Sequence, residues 1–320
     1  MRLVCGLALA ALCACGERPA TVEEALGGAG RDGGVAGGLP AARHALGYPT
    51  RIAQGRSGRI AVTDARLGAA FVLDAALAPA AEAGGIGGAL GVAVTDDGTP
   101  CVGSASRRAV LCLEPGGKVR ALGEGLVAMP NDLAFDHAGR LYVADSAADR
   151  VQVLERSGAL ARTIGAGPAP AALAFPAAVA IAYPPAHPQG ELYVADQRNG
   201  RVAVFDLRGG FRRALGQPAP AFGTAWQGRF SRLQALAVDA LGRVHALDAY
   251  QGQVQVLDGE TGAFLEAYGA FGSGPGQLSV PLGLAILRDG RVVVANAGNG
   301  RLEVLRTLPP AAAPRHGGAR

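Results

Sequence analysis

The sequence predicts an all-β fold, a six-bladed β-propeller of four-stranded antiparallel blades whose last blade is closed by an N-terminal strand. A gapless 17-residue frame recurs six times, at 58–74, 98–114, 139–155, 190–206, 242–258 and 290–306. Each copy, such as GRLYVADSAADRVQVLE at 139–155, gives a turn glycine, a short strand, an Asp, Asn or Ser, a small polar turn and a second strand. Self-similarity at roughly 40–50 residues marks a solenoid, array or propeller, and strand-rich units fit propeller blades. The 49 glycines and 20 prolines also suit many short strands with turns between them.

Ahead of each frame sits another short strand, as at 92–95, 133–136 (LAFD), 179–181, 236–239 (LAVD) and 284–287. Behind it comes a fourth segment ending in glycine: VRALG at 119–123, LARTIG at 160–165, FRRALG at 211–216 and FLEAYG at 264–269. One four-stranded meander has too little buried face to be stable alone. Six stacked radially bury both faces of their inner strands, which accounts for the near-continuous apolar runs. The sixth frame ends at Arg306 with only a Pro-rich tail after it, so its fourth strand is missing. Positions 42–47 (ARHALG) match the fourth-strand pattern and are expected to pair beside 301–305, removing an exposed edge. The propeller is thus expected over 40–308, with 309–320 a disordered tail.

The chain has 320 residues and a net charge of +4, part of it from Arg2. No basic run or basic stripe interleaved with aromatics appears, so nucleic acid is not an expected partner. Arg2 and the apolar run 3–12 have the build of a secretory signal, too short for a permanent membrane span. The ending Leu12-Cys13-Ala14-Cys15 resembles a bacterial lipobox, which implies a signal peptide over 1–14 and lipid attached through the Cys15 sulfur. Gly16 in place of Asp after that cysteine implies outer-membrane sorting, on the periplasmic side or the cell surface. Residues 15–39, rich in Gly, Ala and charge, read as a flexible tether with an r.m.s. reach of about 25–30 Å.

Cys101 and Cys112 remain after the leader. With the hairpin turn centred on Ser106-Arg107 they face each other across paired strands, close to disulfide reach. An exported compartment favours the bond.

The run GAFLEAYGAFGSGPGQLSVPLGLA at 262–285, followed by GRVVVANAGNGRLEVL, resembles an NHL repeat, as does MPNDLAFDHAGRLYVADSAADRVQVLERSGAL. The resemblance covers about 46–308 and implies a six-bladed propeller, in agreement with the count of frames. The second copy departs most, with Ser104 where the others carry Asp or Asn and Pro100 within its strand.

Asp64, Asp145, Asp196, Asp248 and Asn296 form a column that could be a ring of metal ligands. A structural role is favoured, because such side chains accept backbone N–H groups of the following turn. Arg150, Arg201 and Arg301 are placed to pair with the column. The segment PNDLAFDHAGRLYVADS, with Asn131 and Asp132, is similar to one in gluconolactonase-type propellers, which implies oxygen ligands around a central divalent cation. That chemistry needs several converging ligands. The corresponding positions are Thr50-Arg51, Ala177-Ala178, Leu233-Gln234 and Leu282-Gly283, which lack most of them. His44, His137, His187, His245 and His316 show no ligand spacing for an amidating-lyase-like zinc site. No catalytic residue, metal ligand or cofactor is therefore assigned.

Arg51, Asn131, Asp132 and Gln234 are expected near the axis on one face. The Pro-rich excursion 217–227 brings Trp226, the only tryptophan, to the same face, either as a contact anchor or packed between blades. The insertion 182–190 (AYPPAHPQG) is expected on the opposite face as a longer loop. The expected function is an exported, membrane-anchored scaffold that binds a protein or small ligand. A propeller metalloenzyme, lactonase-like or lyase-like, is the alternative.

Overall fold

Six short apolar strands line a central axis in the computed structural model, which describes residues 45–220 and 226–309. They are Pro49–Gln54, Ala89–Val94, Pro130–Phe135, Pro176–Ala182, Leu233–Val238 and Pro281–Ile286. Each lies beside the next, and the sixth lies beside the first, so the ring is closed. In five blades four antiparallel strands follow in sequence order from the inner strand outward. In the sixth, Pro281–Ile286, Arg291–Asn296 and Arg301–Thr307 pair among the described residues.

The leader, Cys15, the tether, positions 42–44 of the closing segment and the tail from 310 lie outside the described residues. Ala45, Leu46 and Gly47 of that segment carry no strand pairing. Leu46 nevertheless packs with Ile52, Phe71 and Leu302 in the core between the sixth and first blades. No helix among the described residues is long and apolar enough to cross a membrane.

Burial explains the composition of the strands. Second strands such as Leu141–Asp145 and Glu191–Asp196 are buried along their whole length, sandwiched between blades. Outer strands such as Phe211–Leu215 alternate between half-buried and exposed positions. The glycines that open the six frames, Gly58, Gly98, Gly139, Gly190, Gly242 and Gly290, all sit at φ between 79° and 90°. A side chain would strain the backbone there, which is why the frame begins with glycine.

One regularity governs how the blades meet. The fifth aligned position of every inner strand is alanine: Ala53, Ala93, Ala134, Ala180, Ala237 and Ala285. Each packs with a larger residue of the following inner strand: Val92, Leu133, Val179, Leu236, Leu284 and, across the closure, Ile52. Small against large at all six seams lets the strands crowd one axis at interior packing density.

The Asp/Asn column is structural. Asp64 Oδ2 accepts the Gly47 and Tyr48 N–H groups, both at 2.7 Å, and its Oδ1 accepts those of Arg66 and Leu67 at 3.0 Å. Asp145 accepts from Ala128 and Met129, Asp196 from Ala174, Asp248 from Ser231, and Asn296 from Ser279. Each therefore ties the segment leading into its own blade, and in Asp64 and Asp248 the following turn as well. The expected arginine partners divide. Arg201 reaches Asp196 at 2.8 Å and Arg150 lies 3.7 Å from Asp145, but Arg301 turns to Glu303 at 2.6 Å, since Asn296 offers no charge.

Cys101 and Cys112 are direct partners across their strands and form a disulfide, with Cα atoms 3.9 Å apart. Two short parallel pairings were not expected from the sequence: Gln217–Pro218 with Arg229–Phe230, and Ala270–Phe271 with Gln277–Leu278. Both fold down the long connections into the fifth and sixth blades.

Two stability experiments follow from this architecture. Asp248→Ala removes a buried carboxylate that accepts the N–H groups of Ser231, Arg232, Tyr250 and Gln251, so urea unfolding should show a loss of about 3 kcal/mol. Replacing both Cys101 and Cys112 by alanine should lower unfolding stability by about 2–3 kcal/mol, and the same loss should appear in wild type under reductant.

Candidate binding site at the propeller axis

The third aligned position of the six inner strands is filled by Arg51, Gly91, Asp132, Ala178, Ala235 and Gly283. Four of these are small, and at the two glycines the neighbouring backbone comes too close for any side chain. A Cβ on Gly91 would stand 2.8 Å from Asp132 Cα, and one on Gly283 would stand 2.9 Å from Arg51 Cα. The space they leave admits one long cation and one short anion.

Arg51 fills that space and is 3 % exposed. Its Nη1 donates to the carbonyls of Leu282 and, at 3.3 Å, Thr50. Its Nη2 donates to the carbonyls of Ala177 at 2.7 Å and Gln234 at 3.4 Å, and its Nε lies 3.5 Å from Asp132 Oδ1. One guanidinium thus joins oxygens of the first, third, fourth, fifth and sixth blades. Asp132 Oδ2 accepts the Val179 N–H at 3.1 Å, and Asn131 Nδ2 donates to the Ala177 carbonyl at 3.2 Å. Burial lifts the Asp132 carboxyl to about 6, against the opposing pull of Arg51 and the N–H groups of Val179 and Leu133. Burial likewise draws the Arg51 guanidinium below its ordinary value, opposed by Asp132.

Gln234 links the axis to the rim. Its side-chain Oε1 accepts from Gln197 Nε2 at 3.0 Å and Arg232 Nε at 3.4 Å. Arg232 in turn lies over the Tyr250 ring, 5.2 Å from its centroid, and donates to the Tyr250 hydroxyl at 3.0 Å. In the neighbouring blade Arg198 lies over Phe175 at 5.1 Å. Sequence reasoning missed both pairs. The available signal was Phe175 and Arg232 standing immediately before their inner strands, each opposite the turn of its own blade.

The structure brings Arg51, Asn131, Asp132 and Gln234 together but leaves Trp226 out of the cluster. Trp226 is half-buried in the long connection, where its carbonyl accepts the Arg229 N–H at 2.9 Å. The adjoining Gly228 N–H is held by Gln255 on the third strand of the fifth blade, two strands away from the axis. Beyond the Arg51–Asp132 pair the axis continues as a cavity of about 220 Å³, walled by residues such as Val179, Ala180, Ala237 and Ile286.

A second polar group lies toward the opposite turns. The expected plain loop at 182–190 instead carries His187 to Glu260 at 2.9 Å and to within 3.8 Å of Glu191. These are donors a metal could use, but Arg213 already grips Glu191 through both nitrogens at 2.6 and 2.8 Å and reaches Glu260 at 3.3 Å. His245 is fully buried, with Nδ1 2.7 Å from the Tyr268 hydroxyl and Nε2 3.2 Å from Asp239. Burial works against the charged Asp239, yet bonds from His245 and Arg243 prevail and hold it at about 2. Tyr142 with Asp136 and Tyr193 with Glu191 repeat this ring-to-acid contact in two other blades.

No protein-family model matches the sequence, and no curated protein matches it. Solved structures do resemble it. A gluconolactonase from Xanthomonas campestris superposes with a TM-score of 0.60 at 16 % identity, covering 81 % of this chain and 85 % of its own. Hydrazine synthase from Kuenenia stuttgartiensis gives 0.59 at 13 %, covering 86 % and 99 %. Virginiamycin B lyase from Staphylococcus aureus gives 0.55 at 10 %, covering 86 % and 88 %. What they share with this chain is the fold.

The axial residues do not suit a divalent ion. Their oxygens already converge on a fixed positive charge that no titration in the working range removes, and a second cation beside it would be repelled in a poorly screened interior. Because Asp132 has a raised pKa, its contribution to stability is fully present below about 4 and is lost as pH rises through about 6. Asp132→Asn should therefore flatten the stability profile between pH 4 and 7, as read by denaturant midpoints at each pH. An unchanged slope would remove Asp132 as its source.

Proposed function

We propose that the chain is an exported, lipid-anchored binding propeller of NHL type, whose partner docks on the face carrying the starts of the inner strands. The observation behind this is the pair of arginine–aromatic stacks beside the axis, Arg198 with Phe175 and Arg232 with Tyr250. Tyr250 is 68 % exposed, and among the described residues neither arginine is ion-paired to a carboxylate. Exposed Arg and Tyr on a rigid support are the side chains that dominate protein interfaces. Uncompensated guanidinium groups favour a partner that presents carboxylates. A protein or peptide with an acidic, partly aromatic surface fits best.

Anchoring at Cys15 and a location at the outer membrane rest on the leader Leu12-Cys13-Ala14-Cys15 and on Gly16. The Cys101–Cys112 disulfide supports an oxidising compartment. Nucleic acid remains an unfavoured partner, for the want of a basic stripe. The metal-dependent alternative loses support from Arg51, whose guanidinium takes the oxygens such an ion would use.

Affinity capture from a membrane fraction, followed by titration of the purified partner, tests the docking face. Arg232→Ala and Tyr250→Ala should each weaken binding by about 2 kcal/mol, roughly thirtyfold, with Asn131→Ala and Trp226→Ala affected less. Equal retention of the partner by all four variants would dismiss this face.

A further inference from the structure

We propose that the polar end of the axis is a receptor for a planar cation, whose resident occupant is the chain's own Arg51 guanidinium. With that side chain removed, the site takes up free guanidinium in preference to a divalent metal ion. The inference stands apart from the docking face and does not depend on it.

The cage is built from four backbone carbonyls, those of Thr50, Ala177, Gln234 and Leu282, and one carboxylate, Asp132. The four carbonyls accept from the two terminal nitrogens of a single flat fork, two at each, while Asp132 Oδ1 lies 3.5 Å from Nε as an ion pair without a hydrogen bond. None of the carbonyls depends on the rotamer of a flexible side chain, since each is fixed by the start of an inner strand. The strands themselves are wedged by backbone contact at Gly91 and Gly283. The cage would therefore keep its shape when the occupant is cut away.

Its chemistry selects the guest. A calcium ion takes six to eight oxygens at about 2.3–2.6 Å, commonly with several carboxylates among them. Here there is one carboxylate, so a divalent ion would leave an uncompensated positive charge in a buried site, which is costly. A monovalent guanidinium is balanced by Asp132 alone. Its N–H groups point outward in one plane, matching acceptors spread around the axis, where a spherical ion would need them drawn inward. Asn131 Nδ2 already donates to the Ala177 carbonyl, which lowers that oxygen's value to a metal but leaves it a lone pair for a second donor.

The test is rescue of full-length Arg51→Ala by small solutes. Thermal midpoints of wild type and variant are recorded in low-millimolar guanidinium chloride, sodium chloride, urea and calcium chloride. Guanidinium should raise the variant's midpoint along a saturating curve, as a ligand that binds only the folded state does, and should not raise that of wild type. Its apparent affinity should exceed that of calcium at least tenfold and fall at least tenfold when Asp132→Asn is added. Urea, with the same shape and no charge, should give no rise. If Arg51→Ala is recovered unfolded, refolding in the same four solutes becomes the readout, and recovery with guanidinium alone supports the cage. An equal effect of urea or sodium chloride, a stronger effect of calcium, or no effect of guanidinium would each overturn the proposal. So would a stoichiometric divalent ion found by elemental analysis of purified wild type.

Discussion

Six strands have to share one axis, and the rest of the molecule is arranged around that crowding. Bulky side chains on every inner strand would hold the blades apart, while small ones throughout would leave a void. The chain resolves this by setting alanine on one side of each seam and Val, Leu or Ile on the other. At the level where backbones approach most closely even alanine is too large in two blades, and glycine takes its place. The remaining gap is filled by a cation whose hydrogen bonds run to most of the ring.

The blade hairpins are secured separately. In five blades an Asp or Asn at the end of the second strand draws in the N–H groups of the segment that begins the blade, and in the second blade the Ser104 hydroxyl donates to the Gly87 carbonyl instead. Toward the opposite turns, acid–ring contacts such as Asp136 with Tyr142 and Asp239 with His245 fix the other end. The third, fourth and fifth blades thus carry a polar clasp at each end and an apolar middle.

Much of this was legible in the sequence because it is periodic. Turn glycines, strand alternation and the Asp column recur in register, and recurrence separates signal from accident. The Cys101–Cys112 pairing followed from the same register once the turn was centred. The axial cluster was only partly legible. Position predicted which residues meet, but the scarcity of side-chain ligands at Ala177, Gln234 and Leu282 gave no hint that their carbonyls would act instead. The alanine and glycine columns were present in the alignment, and their meaning depends on backbone distances that no single strand reveals. Trp226 stands outside the axial cluster for a related reason: a long connection can fold back on its own blade, and Gln217–Pro218 pairs with Arg229–Phe230 to do so. The stacked arginines lie outside the repeated frame and had no periodic counterpart to mark them.

Repeat arrays are commonly held by contacts between nearest neighbours, so that one end can loosen while the other persists. Arg51 breaks that pattern, because it binds blades on opposite sides of the ring through a single side chain. Losing any one of those sheets also strips partners from a charge shared by the others. Cooperative unfolding is the consequence: the molecule has a hub as well as a rim, and it gives way as a whole.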